Sequence, residues 1–105
     1  MFVARWKIDA RFGHKQSAID LMRQWEREIG PQAGVDKMAM QILSGSVGAK
    51  EATIEVNHSV ESLAQLEEMF AKISKIDAHA QWGKKLEPFV VSGSSYWNIY
   101  RVVGD

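Results

Sequence analysis

Residues 38–57 read Met-Ala-Met-Gln-Ile-Leu-Ser-Gly-Ser-Val-Gly-Ala-Lys-Glu-Ala-Thr-Ile-Glu-Val-Asn. Met38, Met40 and Ile42 share one parity, and Ala39, Gln41 and Leu43 share the other. After Ser44-Gly45-Ser46-Val47-Gly48, the alternation resumes. Ala52, Ile54 and Val56 point one way; Glu51, Thr53, Glu55 and Asn57 point the other. Two period-two runs around a short glycine-containing loop predict a β-hairpin, with strands over residues 35–43 and 51–57. Such a hairpin has one apolar face, and that face needs a cover.

The cover is written on both sides of the hairpin. Upstream, Phe2, Ala4, Trp6 and Ile8 alternate with Val3, Arg5, Lys7 and Asp9, which predicts a half-buried first strand. From residue 15 to 29 the period changes, and Ala18, Met22, Trp25 and Ile29 form one helical stripe. Gly30-Pro31 ends it. Downstream, Ser59 is positioned as a helix N-cap, with Leu63, Leu66, Phe70 and Ile73 following at helical spacing. Residues 77–87 predict a shorter extra helix closed by Pro88, and residues 96–103 a last strand that is apolar on both parities. The order strand, helix, strand, strand, helix, strand, with right-handed crossovers, gives an α+β, ferredoxin-like single domain over residues 1–105. Its antiparallel sheet has the order 4-1-3-2 and both helices on one face.

Composition narrows the function. The chain has 105 residues, 46% hydrophobic and 25% charged, with thirteen basic residues balancing thirteen acidic ones. A neutral chain has no long-range field to attract nucleic acid or anionic lipid. The third strand also lacks the Arg/Lys-Gly-aromatic run of sheet-based RNA binders, so no nucleic-acid partner is expected. The absence of cysteine removes disulfides, thiolate metal sites and cysteine nucleophiles. The charge-free stretch 88–100 is too short and too polar to span a bilayer, so no membrane partner is expected. Arg5, Lys7, Asp9 and Arg11 break any leader-like apolar run, and a cytoplasmic location is expected.

The uncovered sheet face carries Arg5 and Lys7 on the first strand and Glu51 and Glu55 on the third, which are placed to pair across the ladder. The last strand adds large side chains whichever register it takes: Tyr96 and Tyr100 in one, Trp97 and Ile99 in the other. Grouped exposed aromatics mark an interface. A two-fold dimer stacking its open faces would cover Tyr96, Trp97 and Tyr100.

The element order, the Gly-Ser-Val-Gly hairpin, the helix placed after Ser59 and the Ala-Gln-Trp-Gly-Lys-Lys-Leu-Glu-Pro run at 80–88 together resemble the dimeric α+β barrel superfamily. Trp82 and Pro88 look most like its small uncharacterised and NIPSNAP-like members. The resemblance implies a homodimer whose sheets form a barrel, with a ligand pocket beneath the helices of each subunit. Arg5, Lys7, Glu51 and Glu55 would then line a polar, hydrated barrel interior. It also implies activities such as cofactor-free monooxygenation of aromatic polyketides or quinols, haem degradation, or isomerisation. Haem-degrading members pair an asparagine on the first strand with a tryptophan and a histidine. Here the first strand has no asparagine, and no cofactor is expected.

The histidines are His14, His58 and His79. The topology predicts His14 and His79 at one edge of the sheet and His58 at the other, so no metal site is expected. His79 and Trp82, three apart on a helix, share a face. With Trp6 beneath, His14 nearby and Met38 on the covered side, they are the candidate pocket. There His79 is the candidate catalytic residue, as general base or as hydrogen-bond donor. The plainer reading makes Trp82 a packing plug and the methionines gap fillers. The functional expectation is therefore a homodimer that binds an aromatic or apolar small molecule, of the cofactor-independent monooxygenase or isomerase type. The alternative is a non-catalytic binding or assembly module working through the open sheet.

Overall fold

The computed structural model describes residues 1–35 and 39–104. The elements run β1 (Phe2–Asp9), α1 (Lys15–Gln24), β2 (Met40–Ser44), β3 (Thr53–Val60), α2 (Leu63–Ile73), α3 (Asp77–Leu86) and β4 (Tyr96–Arg101). The sheet order is β2-β3-β1-β4, the expected 4-1-3-2 read from the other edge, and every pairing is antiparallel. The fold is thus the ferredoxin-like α+β arrangement, with a third helix added.

Parity along β1 does what its sequence dictates. Ala4 and Ile8 are buried, with Phe2 and Trp6 packed against the same core. Across the ladder Ala4 faces His58, Trp6 faces Val56 and Ile8 faces Ile54, so all three β3 partners point toward the helices. Met22, Ile54, Val60 and Met69 are the largest side chains fully removed from solvent. Each contributes on the order of 1.5–3 kcal/mol by leaving water.

The first helical stripe holds to its end, but not as one regular helix. At Trp25 the α-helix widens into a π turn over Trp25–Ile29, followed by a 3-10 turn over Gly30–Ala33. Trp25 and Ile29 stay buried through the change. Gly30 packs close, because a Cβ there would come to 3.3 Å of the Trp25 ring and the ring would have to give. Gly34 closes the segment at φ 82°, a left-handed cap.

Two boundaries move. β3 runs on through His58 and Ser59 to Val60, and Ser59 pairs with Val3 instead of capping a helix. The cap of α2 is Ser62, whose hydroxyl accepts from the Gln65 backbone N–H at 3.1 Å, while the Gln65 side chain accepts from the Glu61 N–H at 2.7 Å. A serine followed three residues later by glutamine is the capping-box spacing; here the glutamine side chain reaches one residue further back, to the Glu61 N–H, and the pair satisfies two donors where a lone serine would satisfy one. Glu51 lies in the hairpin turn and not in the ladder, because β3 begins only at Thr53. The expected strand start at 35–38 falls partly outside the described residues; the described part of β2 begins at Met40.

Candidate functional site

A cavity of about 310 Å³ lies between the helix-facing side of the sheet and the helices. That is enough for a small organic molecule. All four tryptophans of the chain line it: Trp6 from β1, Trp25 from the π turn, Trp82 from α3 and Trp97 from β4. Met22, Met40, Val56, Met69, Phe70 and Ile73 complete the apolar wall, and the polar wall is two histidines, His58 and His79.

The two imidazoles have matching surroundings. The His79 ring stacks on Trp82, with centroids 5.7 Å apart and planes at 23°. The His58 ring stacks on Trp97 at 6.1 Å and 28°. Trp25 stands edge-on to both, 6.3 Å from each. The Trp25 indole Nε1–H donates to His79 Nδ1 at 3.0 Å. Burial pushes the His79 pKa below the ordinary histidine value. His58 is 3% exposed, and burial lowers its pKa from 6.5 to about 4. Its Nδ1 has no hydrogen-bond partner among the described residues. Both histidines are therefore neutral at neutral pH, and among the described residues the cavity wall carries no charge and offers flat surfaces suited to a planar apolar body.

Of the expected pocket residues, Trp6, Trp82 and His79 share this wall. His14 does not. It heads α1, where its ring packs on Phe89 at 5.6 Å. Ten helical residues, about 15 Å, separate that end from Trp25. Met38 lies outside the described residues; Met40, of the same parity, lines the cavity. Trp97, expected at the open face, turns inward, because β4 pairs Trp97 directly with Trp6 and so gives both the same face.

His58, expected far from His79, sits with it instead. α2 spans only eleven residues before the chain turns, and α3 folds back along α1 and the π turn. This return brings His79 to Trp25 rather than to the distant sheet edge. The clue to His58 was its parity: it continues the Ile54, Val56 series on the helix-facing side of β3. Among the described residues no group of three or more His, Cys, Asp or Glu is arranged to hold a metal ion.

The opposite face of the sheet carries Arg5, Lys7, Glu55, Tyr96 and Tyr100. Arg5 donates to Glu55, and Lys7 lies 3.9 Å from the other Glu55 oxygen. The Arg5 guanidinium stands 5.3 Å over the Tyr100 ring, and the Lys7 ammonium 5.8 Å over Tyr96. Both tyrosines are 52% exposed.

No protein-family model and no curated protein matches the sequence. Solved structures do match in shape. A NIPSNAP family protein from Agrobacterium tumefaciens superposes with a TM-score of 0.78 at 18% identity, over 95% of this chain and 90% of its own. An uncharacterized NIPSNAP domain protein from Burkholderia xenovorans gives 0.74 at 6% identity, over 98% and 95%. An antibiotic biosynthesis monooxygenase gives 0.70 at 8% identity, over 99% and 100%. At these identities the likeness is one of fold, and the chain accordingly has the ferredoxin-like α+β fold seen in NIPSNAP and antibiotic biosynthesis monooxygenase proteins.

Proposed function

We propose that this chain is a single-domain, cytoplasmic homodimer that binds a small aromatic or apolar molecule in the tryptophan-lined cavity. There it acts as a monooxygenase or isomerase without a cofactor. The observation that carries the reading is the convergence of four tryptophans and two neutral histidines, from five different segments, on one cavity. Dispersed packing needs no such convergence, whereas a flat ligand does. His79 is the candidate catalytic residue, and Trp6, Trp82 and Trp97 grip the substrate. Solved structures of the same fold include an antibiotic biosynthesis monooxygenase, which makes oxygenation the first chemistry to assay.

In this reading the dimer forms through the open sheet face, where Tyr96 and Tyr100 would meet the partner subunit and the Arg5–Glu55–Lys7 cluster would line a polar barrel interior. The second reading, a non-catalytic assembly module, draws on the same exposed tyrosines.

Native mass spectrometry of protein purified without denaturant tests the reading, repeated after mild unfolding. A dimer with extra small-molecule mass that is lost on unfolding is the expected result. A bare monomer would remove the dimer. In a turnover assay on any ligand so released, His79→Ala abolishes activity and spares the dimer; a dimer that binds but turns over nothing favours the assembly reading.

A further inference from the structure

An indole nitrogen carries a hydrogen and has no lone pair to accept with, so the Trp25–His79 contact runs one way. His79 Nδ1 is therefore the unprotonated nitrogen, and a neutral imidazole must carry its hydrogen on Nε2. Protonating Nδ1 would set two N–H groups against each other. The stack on Trp82 holds the ring plane while Trp25 fixes the tautomer. The partner that fixes one ring nitrogen of a histidine decides what the other can do, and here the other is a donor.

We propose that Trp25 is a positioning residue that locks His79 as an Nε2–H donor, so that the cavity selects a neutral molecule presenting an acceptor oxygen, in the first place the carbonyl of a ketone, enone or quinone. In this arrangement His79 supplies a hydrogen bond to that oxygen and to the negative charge that develops on it, and does not serve as the base. The inference rests on the reading of the cavity as the ligand site, and it divides the two chemistries that the residue type alone left open.

Nitrogen-15 NMR of the intact protein tests the lock. In the wild type, His79 Nδ1 is expected at the unprotonated shift and Nε2 at the protonated one, with a through-hydrogen-bond coupling between Trp25 Nε1 and His79 Nδ1. In Trp25→Phe the coupling is gone and the two shifts move toward a tautomeric average. A protonated Nδ1 in the wild type, or an unchanged tautomer in Trp25→Phe, overturns the lock. Should Trp25→Phe not fold, the wild-type coupling alone decides.

A matched pair of probes tests the selection. 2-Acetylnaphthalene should bind roughly five- to tenfold more tightly than 2-ethylnaphthalene, the worth of one hydrogen bond, and should shift His79 Nε2. His79→Phe should erase the preference and keep the binding. Equal affinities in the wild type overturn the selection while leaving the cavity a ligand site. Binding of neither probe overturns the ligand-site reading and the selection with it, while the NMR result on the tautomer stands apart.

Discussion

The indole nitrogen of Trp82 donates to the carbonyl oxygen of Leu21 at 2.7 Å, tying α3 to α1. The same carbonyl accepts the backbone N–H of Trp25, where the α-helix gives way to the π turn. One oxygen thus secures the returning helix and the point where the first helix changes pitch. Trp82→Phe keeps an aromatic ring and removes the donor. It should cost about 1 kcal/mol, or roughly 5 °C in melting temperature. Trp82→Ala should cost about 3–5 kcal/mol, because it also opens a void. A thermal melt of Trp82→Phe that overlays the wild type would show that the bond contributes nothing net.

Glu55 holds two cations at once, and its side chain is only 12% exposed. In the proposed dimer, Glu55→Gln leaves Arg5 and Lys7 enclosed beside each other without a counter-charge. Sedimentation equilibrium should then show the dimer dissociation constant rising at least tenfold. On a face open to water the same change is worth at most about 1 kcal/mol of stability and leaves the mass unchanged. A variant that still sediments like the wild type would place the dimer contact elsewhere.

His58 makes stability depend on pH in a definite direction. Its pKa is 6.5 in the unfolded chain and about 4 when folded, because burial disfavours the cation. Above pH 6.5 both states are neutral and the term is flat. Between 6.5 and 4 the unfolded chain takes up the proton and the folded one does not, so stability falls as the pH falls. The full loss is roughly 3 kcal/mol, and below pH 4 the term is flat again. The lowered His79 pKa acts in the same direction. His58→Leu removes the titrating ring. Urea denaturation from pH 7 to pH 4 should therefore give a curve flatter than the wild type's. Parallel curves would count against a neutral buried His58.

Two glycines should respond oppositely to alanine. A Cβ on Gly45 would overlap the Lys50 carbonyl oxygen, and the Gly45 N–H donates to the Thr53 carbonyl at 2.8 Å, so the hairpin cannot simply shift away. Gly45→Ala should destabilise by about 1–3 kcal/mol or more. Gly83 sits inside α3, and a methyl group there would have no atom of another residue within 4 Å beyond its own helix backbone and chain neighbours. There Gly83→Ala should stabilise by about 0.5–1 kcal/mol, because alanine loses less backbone entropy in a helix. Melting temperatures that move the same way in both variants would contradict this account.

The fold was legible because its signals are local. Phe2 to Asp9 and Thr53 to Asn57 alternate without a break, and Ala18, Met22, Trp25 and Ile29 keep helical spacing even through the π turn. The facing of β4 was not legible. Tyr96, Trp97, Ile99 and Tyr100 are large on both parities, so period two carries no information there, and only the pairing of Trp97 with Trp6 settles it. His79 and Trp82 were legible as neighbours on one helix face. Their meeting with Trp25 and His58 depends on where α3 folds back, which no local pattern encodes. His58 was hidden further by Ser59, a good cap in isolation that loses to Ser62 and Gln65, whose side chains accept from the Gln65 and Glu61 N–H groups.

Because every tryptophan of the chain stands in the wall of a single cavity, the protein's entire indole fluorescence is emitted from that one chamber. Excitation at the red edge of the tryptophan absorption band therefore interrogates chiefly the occupancy, polarity and wetness of the cavity, with Trp97, 38% exposed, also sensing the surrounding solvent. A guest that displaces water would shift the emission to the blue, and one with a low-lying excited state would quench it. The chain thus carries, without any label, an optical gauge of whether its chamber is filled.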